Sequence, residues 1–206
     1  MGLAIGSGEY AYAINEDPED AEWIEEDLSI INAALKDNGI EVHSEPKVLP
    51  EVSMSCIESF PYSFLHYLRR IYALNELGKE VTPTSGELTE IDDSIIEEAT
   101  EMMSSHLLCH SDAEGYYVPI EFDDVIFNDE LLGGILGSSQ KLYKEIIKIA
   151  GLINIDVNDG AISEETNNLL AEADENHPYY IERVVWFTLY QHVKNSIENK
   201  TIISFS

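Results

Sequence analysis

The amino-acid sequence predicts an α+β fold, a helix-rich single domain over residues 1–206 with a small mixed or antiparallel sheet. Three observations carry this expectation. Apolar residues recur at helical spacing in several stretches that also have recognisable caps. About four short candidate strands lie between these stretches at irregular intervals, without the regular β–α alternation of a doubly wound sheet. Hydrophobic residues make up 44% of the 206, enough to build a core.

Each element has its own signal. Residues 3–14 are apolar and aromatic, with Gly6 and Gly8 inside them, and read as a strand with a bend. Asp17 followed by Pro18 marks a helix start, Asp as cap and Pro at the first helical position. That helix should run to about Asp37, with Gly39 just past its end. Its stripe of Trp23, Leu28, Ile31 and Leu35 is interrupted once, by Asp27. Residues 40–43 read as a short strand, and residues 45–55, with Pro46 and Pro50, as a loop. Ser59 and Pro61 should open the next helix, carrying Phe64, Leu65, Leu68, Ile71, Tyr72 and Leu77 inward and His66, Arg69 and Arg70 off the stripe. Gly78 ends it, and residues 81–89 are rich in turn formers.

Ser94 with Glu97 then suggests a capping box, with Ile95, Ala99, Met102, Met103 and Leu107 facing inward behind it. Residues 115–127 read as a strand that Pro119 confines partly to an edge. Gly133, Gly134 and Gly137 suggest a flexible connection. Ser138 caps a helix bearing Leu142, Ile146 and Ile149, which Gly151 ends, and Ser163 caps a short acidic helix. Pro178 opens the last helix. Its residues Val184 to Tyr190 are apolar nearly all round, as expected of a buried central helix. Residues 201–205 close the chain as a strand.

Charge is the feature that departs from the norm. Forty acidic residues face eleven basic ones, giving a net charge of −29. Self-repulsion at that level costs stability. It also argues against nucleic acid or an anionic membrane as a partner, and for a basic protein, attracted from a distance. No stretch approaches the roughly 18 apolar residues of a membrane span. The opening residues lack the basic segment of a signal peptide, and two cysteines are too few for a disulfide scaffold, so a cytoplasmic setting is expected. No cofactor is expected.

The acid is densest between residues 16 and 27, where eight of twelve residues are Asp or Glu. Part of this belongs to the helix N-terminus, whose dipole favours negative charge. The rest makes Glu19, Asp20, Glu22, Trp23 and Glu26 candidates for partner binding, an aromatic anchor within a charged face. For Trp23 the first expectation is still packing in the core, with the anchor role as the alternative.

A second constellation is His106, Cys109, His110 and Asp112. On a helix, His106 and His110 would share one face, and with Cys109 or Asp112 they could hold zinc in a metal-dependent enzyme. The competing expectation for His106 is a core-facing histidine. The Glu of H-E-x-x-H is absent, so no general base comes with the motif. Adjacent acid pairs such as Asp92–Asp93 and Asp123–Asp124 are what forty acids supply by chance, and Ser7 in Gly-Ser-Gly lacks the G-x-S-x-G pattern. An interaction protein is therefore expected over an enzyme.

Residues 105–122 (SHLLCHSDAEGYYVPIEF) and 132–145 (LGGILGSSQKLYKE) resemble stretches of uncharacterised bacterial proteins, some of them similar to acidic immunity proteins of polymorphic toxin systems. The resemblance implies a small acidic module that neutralises a basic partner such as a nuclease-type toxin. It carries no catalytic residues. A nucleic-acid mimic that blocks a DNA-binding enzyme is a further possibility, and it would need carboxylates spaced like phosphates along one face.

Overall fold

The computed structural model describes residues 2–50, 56–84 and 86–206. Among them, six strands form one mixed sheet. They are β1 (Gly2–Ser7), β2 (Cys56–Pro61), β3 (Gly115–Val118), β4 (Ile126–Phe127), β5 (Ile135–Ser138) and β6 (Ile203–Phe205). The spatial order is β2-β1-β6-β3-β5-β4. Only the β3–β5 pair is parallel; every other neighbour is antiparallel. The α+β expectation is met, and the sheet is of the mixed kind.

Eight α-helices flank it: α1 (Glu9–Glu16), α2 (Pro18–Asp37), α3 (Tyr62–Glu76), α4 (Glu90–Thr100), α5 (His106–Cys109), α6 (Ser139–Ala150), α7 (Glu164–Ala171) and α8 (Tyr180–Asn199). Alternation along the strands separates two cores. Leu3, Ile5, Tyr117, Ile203 and Phe205 pack with α3, α6 and α8. Tyr116, Val118, Leu136 and Ile202 pack instead with Leu28, Ile31, Ala34 and Leu35 of α2. The first side is thick and centred on α8, as its apolar sequence predicts. The second is a single helix layer extended by α1, whose Tyr10 and Ala13 meet Ala21 of α2.

Several expectations are corrected. Residues 3–14 are not one bent strand. β1 stops at Ser7, Gly8 adopts a left-handed conformation (φ 77°), and α1 begins at Glu9. Residues 40–43 form no strand, and the Asn32 side-chain amide takes both backbone groups of His43. Its Oδ1 accepts from the His43 N–H at 2.6 Å, and its Nδ2 donates to the His43 carbonyl at 2.9 Å. Of the loop expected over 45–55, residues 45–50 are irregular, and 51–55 lie outside the described residues. Ser59 and Pro61 belong to β2, which pairs with β1 along its whole length, and α3 follows at Tyr62.

The capping box forms five residues earlier than expected, from Thr89 and Asp92. As a result α4 ends at Thr100, and Met102 and Met103 are exposed, not inward. The long strand over 115–127 is cut at Pro119 into β3 and the two-residue β4. Gly137 belongs to no flexible link. It sits in β5, where a Cβ would lie 2.3 Å from the Tyr117 ring, so that ring packs directly on the strand backbone.

Candidate protein-binding face

Helix α2 divides its surface into three stripes. Ala21, Leu28, Ile31 and Leu35 are buried against the sheet. Opposite them Glu19, Glu22 and Glu26, at i, i+3 and i+7, form an exposed ridge. Between the two runs a third stripe of Asp20, Trp23 and Asp27, again at i, i+3 and i+7, lines a cleft against the sheet. Asp17 caps the helix by accepting from the Asp20 N–H at 3.4 Å, and Pro18 follows as expected.

All five residues singled out in the sequence, Glu19, Asp20, Glu22, Trp23 and Glu26, are exposed on α2. The core expectation for Trp23 is corrected: the indole is 61% exposed, and Tyr12 of α1, also lining the cleft, is 57% exposed. The periodicity misleads because positions 23 and 27 lie at the edge of the buried stripe and not at its centre. Asp27 breaks the pattern because it has a partner, the Tyr116 hydroxyl from β3, which donates to it.

Other hydroxyls hold the acids in the same way. Tyr10 donates to Glu25, and Ser204 of β6 donates to Glu9. The hydrogen bond to Glu25 is the main cause that pushes the Tyr10 phenol up to about 12. Cations play little part here. No lysine or arginine precedes Lys36 in the sequence. Among the described residues, the nearest ion pair is Lys47 with Glu25, 4.0 Å apart and exposed on both sides. The cleft encloses about 740 Å³, with four carboxylates (Glu9, Asp17, Asp20, Asp27) and no basic residue in its walls.

The opposite side of the molecule treats charge differently. Lys141, Lys144 and Lys148 project from α6 to Asp123, Glu121 and Glu76, each at 2.5 Å. Arg70, nearly buried, reaches Asp92 at 2.5 Å.

The His106–Asp112 run is part of this internal pairing. The expected shared helical face does not form, because α5 ends at Cys109 and His110 is extended (φ −64°, ψ 148°). The two imidazoles go separate ways. His106 accepts the Ser138 N–H on Nδ1 at 2.9 Å, its Nε2 lies 3.2 Å from the Asp123 carbonyl, and burial lowers its pKa. His110 stacks on Tyr117 at 4.2 Å and meets Phe205 edge-on, and burial pushes it down to about 4. Cys109 is half-buried, with its thiol pushed up by burial. Asp112 pairs with Arg69 and with His66 at 2.9 Å. Burial works against its charge, but these partners outweigh burial and hold the carboxyl at about 2. Among the described residues, no group of three or more His, Cys, Asp or Glu is placed to hold a metal.

Sequence reasoning missed the residues that clamp this run. Arg69 donates to the carbonyls of Leu107 (2.9 Å) and His110 (2.6 Å) at the C-terminal end of α5. Glu145 accepts the N–H groups of His106 (2.9 Å) and Leu107 (2.7 Å) and the Ser105 hydroxyl at the other end. A cation at the C-terminus and an anion at the N-terminus match the helix dipole. Burial nonetheless pushes the Glu145 carboxyl up to about 7. The only signal was an Arg off the apolar stripe of α3 and a Glu among the lysines of α6. Two further buried contacts pin segments to the core. Ser7 lies 2.9 Å from His192 Nδ1, and the Glu45 carboxylate accepts the Ile202 N–H at 2.9 Å.

A search of the curated proteins and one of the solved structures find no match. No helix among the described residues is long and apolar enough to cross a membrane. A family model described as "Putative DNA-mimic protein" matches residues 1–205, nearly the whole chain. The chain belongs to that family of DNA-mimic proteins.

Proposed function

We propose that this protein acts by imitating duplex DNA, presenting the α1–α2 face to the basic surface of a DNA-binding protein. The observation that carries it is the acid on that face, exposed and, among the described residues, met by one exposed lysine at 4.0 Å (Lys47 to Glu25), on a chain of a DNA-mimic family. Glu19, Glu22 and Glu26 share the convex ridge of α2 at i, i+3 and i+7, and at about 1.5 Å rise per residue they recur about every 5 Å along it. A basic surface that contacts a row of phosphates meets a row of exposed charges here.

Charge of this kind speeds encounter and is screened by salt. Trp23 and Tyr12 would supply the desolvated contacts that charge alone lacks. As its partner we propose a DNA-binding protein, for example a nuclease-type toxin, the kind that a resemblance to immunity proteins implies.

Immobilised protein should capture DNA-binding proteins from a lysate of the source cells at low salt, and duplex DNA should release them. If the captured proteins stay bound under excess duplex DNA, or do not bind DNA at all, the proposal fails.

A further inference from the structure

The cleft beside α2 is more specific than a charged surface needs to be. We infer that it receives a single arginine side chain of the protein partner, its guanidinium held between the rings of Trp23 and Tyr12 and the carboxylates of Asp20 and Asp27. The inference rests on the DNA-mimic reading for the kind of partner and adds a subsite to it.

The chemistry of the walls selects the occupant. They combine exposed aromatic rings with four carboxylates and include no cation, so the site suits a positive group with a flat, weakly hydrated surface. A divalent metal does not fit, since no three acids converge to coordinate one among the described residues. A guanidinium fits better than an ammonium, because it can stack on an indole while its edge donates to a carboxylate. The acids are also held in place before any ligand arrives. Asp27 is fixed by the Tyr116 hydroxyl, Glu9 by Ser204, and Asp17 by its cap on Asp20. The cleft of about 740 Å³ is far larger than one guanidinium, leaving space for the side chain's stem and for the backbone that carries it. Phosphate mimicry requires charge on a convex ridge, which Glu19, Glu22 and Glu26 already form. A concave aromatic pocket next to that ridge has no counterpart in that role.

The test uses the intact protein and Nα-acetyl-arginine amide at about 0.15 M salt, where loose charge pairing is largely screened. Amide and indole NMR resonances report the place of binding. The arginine amide should shift the Trp23 indole and the Asp20 and Ser204 amides saturably, and leave the buried Trp186 indole unmoved. The neutral citrulline amide should bind at least about tenfold more weakly, and the lysine amide measurably more weakly than arginine. Trp23→Ala and Asp27→Asn, followed through the Ser204 amide, should each weaken binding severalfold in a protein whose other resonances are unchanged. The inference is overturned by unsaturable shifts, by shifts confined to Glu19, Glu22 and Glu26, or by citrulline or lysine binding as well as arginine. If the arginine amide fails while duplex DNA still displaces a captured partner, only the subsite falls. If the amide binds but no DNA-binding protein is captured, the mimic reading falls and the cation site stands.

Discussion

The two tryptophans occupy opposite sides of the sheet and opposite environments. Trp186 is fully buried at the centre of α8, stacked on Tyr190, its indole N–H donating to the Ile146 carbonyl at 2.7 Å. Trp23 stands on α2 in solvent beside exposed acids. The surroundings follow the same division. On the α3–α6–α8 side, Arg69 and Arg70 of α3 and the three lysines of α6 are matched with carboxylates, and even the His106–Asp112 run serves to fasten a four-residue helix. On the α1–α2 side, hydroxyls hold Glu9, Glu25 and Asp27, and Glu19, Glu22 and Glu26 stand exposed. One side uses charge to hold the fold together, and the other keeps it available at a cost in self-repulsion.

The division can be broken from either side. Trp186→Ala should have the largest effect, about 3–5 kcal/mol of stability measured by denaturant unfolding, while Trp23→Ala should change stability by less than about 0.5 kcal/mol. Comparable losses would mean that Trp23 is structural. Replacing Glu19, Asp20, Glu22 and Glu26 by their amides should weaken capture of the cationic partner on the order of 100-fold at low salt. The same number of changes at the exposed Glu164, Glu165, Glu172 and Glu175 should cost only a few-fold. Equal losses would reduce binding to net charge and remove any distinction between the faces.

Asp112→Asn should cost about 2 kcal/mol, below the roughly 3–5 for a fully buried pair because Asp112 is partly exposed. In the native protein this carboxyl titrates near 2 against about 3.9 when unfolded. Its stabilisation is therefore present above about pH 4 and is lost as pH falls toward 2, and in the variant that acid-side loss should shrink. The smallest effect is expected at Glu145, whose shift has the opposite sign. The folded carboxyl titrates near 7 and the unfolded one near about 4.3, so folding is penalised increasingly as pH rises between those values. Glu145→Gln should flatten the fall in melting temperature across that window. An unchanged slope would show that the carboxylate's three donors compensate its burial.

How much of this was legible in the sequence depended on whether the cause was local. The Asp17–Pro18 start of α2, the Ser138 and Ser163 caps and the burial of α8 depend on neighbours within a turn or two, and they were readable. β2 and β5 were not. Cys56–Pro61 becomes a strand because β1 lies beside it, and Ile135–Ser138 because Tyr117 packs on Gly137. The acidic cluster was visible as composition, but its arrangement into a ridge and a cleft was not. Nor could spacing show that His106 and His110 part company, since that depends on where α5 ends.

The charge, the concentration of acid before residue 28, the helical content and the two candidate runs could be read from the chain before its fold. Those properties follow from residue identity and from contacts a few positions apart. Which run is exposed and which is buried depends on long-range packing. It places α2, extended by α1, on one face of the sheet, with one acidic stripe in water and one along a cleft, and folds α5 under α3 and α6, where Arg69 and Glu145 hold it. Periodicity specifies that a helix has two sides. What covers each side is set by elements distant in sequence, which is why the face that carries the proposed function could be named by its residues but not by its shape.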